Sequence, residues 1–479
     1  MEDKFYLSPN NPAQEIIFAL FKPVYMSPNN MPVTLGTENI GKLLLQYAIP
    51  SVIAMTASSV YHITASAFIG QGVGPLAISG LAITFPLMNL AAAFGSLVGA
   101  GAAILMSLRL GQKDYSSAND ILGNVFMLNL IFGLSYTVVI MLFLDPILFF
   151  FGASAETIPY ARDYMVVITL ANVVTHLYFG LNALLRATGN PRLSMMTTLL
   201  SVVINIVLTP LFIYGFGWGI RGAALATVIS QTAMLAWQIH YFSNKKNYIR
   251  LQKGIFRLKR KIVLDSLSIG MAPFLMNAAS SLIIIVINRS LVLHGGDLAV
   301  GAYGIVNRVM ALFGMIVMGL NQGMQPIAGF NFGAKQYDRV SRVLRLTTLL
   351  AVGIMSVSLL IGQFLPGAVS SLFTHDPELR EIIVPALRIV VIFAPLAGFQ
   401  MVASNFFQSI GMAPKAIYLS LTRQIIFLLP LLLILPSFFG INGVWYSLPA
   451  ADLLSAANAL ILLTIHYRKL NRNQISLNN

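Results

Sequence analysis

The segment Gly111-Gln-Lys-Asp-Tyr115 returns 222 residues later in the chain as Gly333-Ala-Lys-Gln-Tyr337. Each copy is a short polar break between two long, mostly apolar runs. A helix that crosses ~30 Å of hydrocarbon needs ~20 mostly apolar residues. Each copy therefore predicts a polar turn between two membrane-spanning helices, and the repetition predicts a duplicated membrane fold.

Other positions of the two halves are related by nearly the same shift. Gly189 matches Gly411 at a shift of 222, and Pro50 matches Pro273 at a shift of 223. A common shift across six apolar runs predicts two repeats of six helices each. Because six is an even number, both repeats start on the same side of the membrane and are related by a pseudo-two-fold axis along its normal.

Apolar runs fill most of the 479 residues. The chain is 57% hydrophobic and only 10% charged, whereas soluble domains carry roughly 25% charged residues. This composition excludes a soluble enzyme, a disordered chain, collagen and a coiled coil. We predict an all-α polytopic membrane protein with twelve transmembrane helices in two pseudo-symmetric six-helix lobes. The predicted spans are 43–69, 80–107, 121–143, 160–185, 194–214, 222–242, 264–291, 300–328, 343–365, 381–408, 416–436 and 444–466.

The basic residues predict the topology. Of the 30 Lys and Arg residues, 23 lie in the two tails or in the loops that follow even-numbered spans. The positive-inside rule therefore places both termini in the cytoplasm. It also accounts for most of the net charge of +14, so no nucleic-acid partner is expected. The predicted parts are a cytoplasmic tail (1–40, with a short helix near Glu15–Leu20), an N-lobe (41–243), a basic linker (244–262), a C-lobe (263–467) and a cytoplasmic tail (468–479).

The repeat favours a transporter over a channel or an enzyme. Parallel repeats form transporters whose substrate path runs between the lobes, and no segment resembles a channel filter. The chain has no Cys, no Walker A sequence and no His-Glu-x-x-His motif. We therefore expect no catalytic residues, no cofactor and no bound metal. Transport is then either driven by an ion gradient or passive.

Several turn motifs identify a family. They are Phe330-Asn-Phe-Gly-Ala-Lys-Gln-Tyr-Asp-Arg339, Arg186-Ala-Thr-Gly-Asn-Pro191 and Gly217-Trp-Gly-Ile-Arg-Gly-Ala-Ala-Leu-Ala-Thr227. Together they resemble the multidrug and toxic compound extrusion (MATE) family, in register over residues ~41–467. The resemblance implies a multi-pass protein of the bacterial inner membrane that exchanges organic, often cationic, compounds for H⁺ or Na⁺. Its partners would be the lipid bilayer and a small organic substrate, and one chain with two joined lobes would suffice as a monomer.

Two positions depart from the family pattern. The first span often carries an acid where this chain has Ala65, and the fifth often carries one where this chain has Thr209. An ion site built on those carboxylates cannot be transferred to this chain. The sequence leaves open whether the coupling site has moved or coupling is lost.

Three ionisable residues are candidates for coupling. His62 and His176 lie within N-lobe spans, and histidine titrates near physiological pH; a neutral histidine that bonds two helices is the alternative. Asp452 is the one acid clearly inside a span. Because a buried Arg needs a partner, Asp452 is expected to pair with Arg308 or Arg423. It would serve either as a fixed brace of the lobe or as the coupling site.

Polar and aromatic residues within the spans are candidates for the substrate cavity. An aromatic ring can hold an organic cation. Cations in the cavity would instead favour the alternative function, a flippase or exporter of a lipid-linked or anionic substrate. The cavity candidates are Tyr61, Tyr178, Asn205, Asn277, Arg308, Phe399, Gln400 and Arg423.

Overall fold

The computed structural model describes the backbone of residues 33–374 and 376–478. It describes the side chains of the same residues except 33, 62, 297 and 467–478. The short helix predicted near Glu15–Leu20 lies outside the described residues. Within them, sixteen helices follow one another along the chain. They are α1 (Val33–Thr37), α2 (Ile40–Gly72), α3 (Pro75–Gly111), α4 (Tyr115–Phe150), α5 (Ile158–Leu170), α6 (Asn172–Ala187), α7 (Pro191–Gly215), α8 (Gly219–Ser243), α9 (Arg260–Gly296), α10 (Leu298–Gly333), α11 (Tyr337–Phe364), α12 (Pro366–Ser371), α13 (Pro377–Val390), α14 (Ala394–Ser409), α15 (Ala413–Phe439) and α16 (Ile441–Asn478).

Nine of the helices in the described part of the chain are long and apolar enough to cross a membrane. They are α2, α3, α4, α7, α9, α10, α11, α15 and α16. Two further spans are formed if the bent pairs α5/α6 and α13/α14 each count as one. Helix α8 has 25 residues and corresponds to the predicted span 222–242, but it is not among the apolar nine. The all-helical membrane fold is confirmed, and the exact number of twelve remains a prediction.

The two bent pairs replace spans that the sequence predicted as single helices. The axes of α5 and α6 differ by 55°, and those of α13 and α14 by 54°. Near the first break, the hydroxyl of Thr137 donates to the carbonyl of Thr169 at 2.7 Å. Near the second, Pro395 supplies no backbone N–H. In both cases the regular helical hydrogen bonding is interrupted at the bend.

The segment that precedes each lobe packs against the other lobe. Leu35 of α1 and Leu44 of α2 belong to the apolar core that is otherwise built from α9 to α16. The guanidinium of Arg339 donates to the backbone carbonyls of Leu35 and Glu38 at 3.0 and 2.7 Å. The start of the N-lobe is thus fastened to the C-lobe.

The basic linker makes the reciprocal crossing. Although it leads into the C-lobe, it packs against α4 of the N-lobe. The Asn119 side chain accepts from the amide of Arg250, and the Asn124 side chain accepts from the amide of Lys259, both at 2.9 Å. The ammonium of Lys259 also pairs with Asp120. The linker is thus fastened to the N-lobe before the chain enters the C-lobe.

Candidate functional site

Glycines allow the two lobes to meet backbone to backbone at the end predicted to be cytoplasmic. A Cβ added to Gly270 of α9 would lie 1.8 Å from the carbonyl oxygen of Leu97 in α3. A Cβ on Gly101 of α3 would lie 2.0 Å from the carbonyl oxygen of Ser266 in α9. No larger residue fits at such a distance, so these glycines permit a tight seal.

A second seam joins α2 of the N-lobe to α10 of the C-lobe. A Cβ on Gly319 would meet Val52 at 2.6 Å, and the hydroxyl of Ser59 lies 2.9 Å from the sulfur of Met315. Toward the N-terminal end of α10, a Cβ on Gly304 would meet no atom within 4 Å. The lobes therefore touch over the half of this seam that is predicted to be cytoplasmic, and the same face of α10 is open next to Gly304. This opening between the lobes beyond Met315 is called the cleft below.

A neutral hydrogen-bonded cluster in the N-lobe includes Thr209, one of the two positions at which the family resemblance implies an acid. Tyr61 of α2 and Asn205 of α7 both bond to the hydroxyl of Thr227, at 2.8 and 3.1 Å. Thr209 donates its hydroxyl proton to the Asn205 carbonyl oxygen at 2.9 Å. The structure thus brings together two of the predicted cavity residues, with Thr209 as a hydrogen-bond donor in place of an acid.

Sequence reasoning missed Thr227, although a signal was present in the chain. Small polar residues recur every three or four positions along α7, and all of them are buried. This spacing places them on one helix face, toward which a polar partner on a neighbouring span would be expected. The residues of this face are Ser194, Thr197, Ser201, Asn205 and Thr209.

His176 is buried apart from that cluster. Its side chain is 1% exposed, and Nε2 lies 3.0 Å from the carbonyl oxygen of Ala91 in α3. A carbonyl accepts only, so Nε2 carries the proton in this contact. Nδ1 has no hydrogen-bond partner among the described residues and retains a lone pair that could accept a proton. The backbone of His62 lies in α2, and its side chain is outside the described part.

Three other predicted cavity residues join helices to one another. Tyr178 is 3% exposed and lies in the apolar core with residues of α3, α4 and α6. Gln400 is 4% exposed and donates to the carbonyl of Leu419 at 3.0 Å, which ties α14 to α15. Phe399 packs against the C-lobe core. Their contacts brace the lobes.

A salt bridge occupies the interior of the C-lobe. Nε of Arg423 donates to Oδ1 of Asp452 at 2.5 Å. The pairing expected for Asp452 is present, with Arg423 as the partner. The Asp452 side chain is 4% exposed and that of Arg423 is 29% exposed. The pair is neutral as a whole, and each charge compensates the burial of the other.

Arg308 lies apart from that salt bridge. Its side chain is exposed on α10, and no hydrogen bond or ion pair holds it to any side chain that the structure describes. Asn277 lies half-buried on α9. Nowhere in the described part do three or more His, Asp or Glu side chains group as metal ligands.

Sequence comparison shows the family to which this chain belongs. A family model described as MatE matches residues 50–211 and 264–434. The chain belongs to the MatE family. A similar curated relative is the multidrug export protein MepA of Staphylococcus aureus (strain MSSA476). It is 29% identical over 423 residues, which cover 88% of this chain and 93% of that protein. The MepA protein of Staphylococcus haemolyticus (strain JCSC1435) is 28% identical over 92% of this chain and 97% of its own length.

Solved structures show the same MatE fold. An outward-facing multidrug resistance MATE family transporter superimposes with a TM-score of 0.86 at 23% identity, covering 92% of this chain and 98% of that chain. A transporter from Pyrococcus furiosus, described as having a binding pocket of reverse polarity, gives the same TM-score at 24% identity. It covers 92% of this chain and 98% of its own. These likenesses establish the two-lobed membrane fold.

Proposed function

We propose that this MatE-family protein is a secondary antiporter of the bacterial inner membrane that exports amphipathic organic compounds. Alternating access between its two lobes would move the substrate, and a gradient of H⁺ or Na⁺ would drive it. The multidrug export proteins similar over nearly the whole chain support the substrate class. The protein acts as a membrane transporter rather than an enzyme, and its two joined lobes make a monomer sufficient.

The cleft between the lobes is the observation that carries this proposal. It is sealed at one end by glycine-mediated backbone contacts and is open beyond Met315. Contacts of this kind can separate without unfolding either lobe, because most of the apolar core of each lobe is built from its own helices. Rocking of the lobes would open the seal and expose the cleft to the other side.

Asp452 is our first candidate for the coupling group. Binding of a proton or a sodium ion to this carboxylate would weaken its attraction to Arg423. The salt bridge would then loosen and the charge of Arg423 would become available within the C-lobe. Ionisable groups inside a membrane are costly, so those that occur there are functional candidates by default. The buried salt bridge of Asp452 and Arg423 is such a case.

His176 is our second candidate, and His62 remains a third. The free Nδ1 lone pair of His176 could bind a proton, and the bend between α5 and α6 lies five residues before it. Protonation there would add a charge next to a break in a span. This gives a route from proton binding to a change of helix geometry.

Transport in proteoliposomes tests the proposal. The parent protein is loaded with an organic dye, and pH and Na⁺ gradients are imposed separately. Asp452→Asn is compared with Asp145→Asn, which removes an acid from the half-exposed ion pair with Arg162. We expect gradient-driven flux that Asp452→Asn abolishes and Asp145→Asn preserves. Full activity in Asp452→Asn would exclude this residue from coupling, and flux independent of both gradients would contradict antiport.

A further inference from the structure

Arg308 occupies a position where an unpaired charge is costly. It follows the start of α10 at Leu298 by ten residues, which corresponds to ~15 Å at 1.5 Å per residue. The whole helix has 36 residues and is ~54 Å long, whereas the hydrocarbon core is ~30 Å thick. In a centred span, Arg308 therefore lies just inside one edge of the core. A guanidinium inside the core is costly unless it faces water or a partner rather than lipid.

The direction of Arg308 follows from its neighbours on α10. Met315 and Gln322 lie seven and fourteen residues farther on, and seven residues are nearly two helical turns. All three therefore share one helix face. Met315 contacts Ser59 of α2 at 2.9 Å, and Gln322 contacts Met55 at 3.4 Å. Arg308 thus faces the N-lobe across the cleft.

The cleft has space for a ligand at Arg308. Gly304 precedes Arg308 by one helical turn on the same face, and a Cβ on Gly304 would meet no atom within 4 Å. Within the N-lobe, the cluster around Asn205 is neutral and buried, so it presents no carboxylate to the cleft. The guanidinium of Arg308 is exposed on the helix face that borders the cleft.

No carboxylate in the described part of the chain lies within ion-pair distance of Arg308. Asp452 is already paired with Arg423. The N-lobe acids Asp120, Asp145 and Asp163 lie near helix ends, and each of them pairs with a Lys or Arg. Arg308 therefore leaves the cleft with one uncompensated positive charge among the side chains that the structure describes.

We propose that Arg308 binds the carboxylate or sulfonate of the transported compound, and that this exporter takes amphipathic organic anions. The inference rests on the proposed function, because it takes the cleft as the substrate path. A guanidinium matches the planar, bidentate geometry of a carboxylate. One cation suits a single anionic group, whereas a lipid-linked diphosphate would need several. An inside-negative membrane potential favours outward movement of an anion, so this substrate class also suits an exporter.

Two xanthene dyes of opposite charge test the proposal. Carboxyfluorescein is the anionic probe, and rhodamine 123 is the cationic probe. Binding to the purified protein in detergent is followed by fluorescence anisotropy, and gradient-driven flux is followed in proteoliposomes. The variants are Arg308→Gln, Arg308→Lys and the control Arg221→Gln, whose guanidinium pairs with Asp163 away from the cleft.

We expect the parent and Arg221→Gln to bind carboxyfluorescein equally. Loss of a charge-assisted hydrogen bond predicts at least ~10-fold weaker binding in Arg308→Gln. Arg308→Lys keeps the charge and loses only the bidentate geometry, so it should fall between the two. Binding of rhodamine 123 should be unchanged or stronger in Arg308→Gln, which also shows that this variant is folded.

The alternative outcomes separate the two proposals. Gradient-driven flux of rhodamine 123 without binding of carboxyfluorescein would overturn the role of Arg308 and leave the exporter function intact. Carboxyfluorescein binding that Arg308→Gln does not weaken would do the same. If the parent binds and moves neither dye, both proposals fail.

Discussion

Replacing Gly270 by alanine should destabilise the state in which the cytoplasmic end is sealed. The new Cβ would lie 1.8 Å from the carbonyl oxygen of Leu97, whereas ordinary contacts begin at 3.4 Å. Helices α3 and α9 must therefore separate by more than an ångström at this point. Overpacking of this kind costs ~1–3 kcal/mol, and a difference of ~1–3 kcal/mol between two states shifts their ratio by ~5–150-fold.

Distance measurements between spin labels can detect this shift. The chain contains no Cys, so the pair Ser116→Cys and Asp338→Cys introduces the only labelling sites. These exposed residues lie in the first turns of α4 and α11, in opposite lobes at the end predicted to be cytoplasmic. Pulsed electron paramagnetic resonance measures the distance between the two labels. It should give a single short distance in the labelled parent and an additional, longer distance in the Gly270→Ala background.

Gly353→Ala is the matched control, because a Cβ on Gly353 of α11 would meet no atom within 4 Å. This variant should reproduce the distances of the parent. An unchanged distance distribution in Gly270→Ala would refute the reasoning, since it would show that the seal tolerates the added methyl group. If the distance lengthens in both variants, the change is not specific to the seal at Gly270 and arises from helix α11 or from the labels.

Three further predictions concern single side chains. Asp452→Asn leaves Arg423 without its counter-charge and should destabilise the protein by ~3–5 kcal/mol; the double variant with Arg423→Gln should regain part of that loss in thermal melting. His176→Gln should keep the bond to α3 and the melting temperature, while gradient-driven uptake loses its pH dependence; an unchanged pH profile would assign His176 to structure alone. Hydrogen bonds from the Ser117 hydroxyl and amide lower the pKa of Asp114. Its stabilisation is therefore complete above the unfolded pKa of ~3.9 and is lost as the pH falls through the lower folded pKa. Asp114→Ala should accordingly cost ~1 kcal/mol at pH 7, less at pH 3, and leave transport unchanged.

The predicted site could be located only in part from the sequence. The rarity of acids in the spans was enough to single out Asp452 and to expect an Arg partner, because a buried charge must be compensated. The sequence does not show which arginine pairs with Asp452, since both Arg423 and Arg308 lie within predicted spans. Likewise, Tyr61 and Asn205 were singled out separately, and their shared partner Thr227 became visible only when α2, α7 and α8 were packed together.

The sequence by itself determined that this is a helical membrane protein built from two related halves. Apolar runs long enough to cross a bilayer and a common shift of 222 residues are properties of the chain alone. Tertiary structure alone decided the bends within the two broken spans and the crossing of α1 and the linker to opposite lobes. It also decided which glycines seal the cleft and which arginine beside it has no ion-pair partner among the described side chains. These features depend on contacts between residues far apart in the chain, such as Gly270 with Leu97, and periodicity along one helix carries no information about its neighbours.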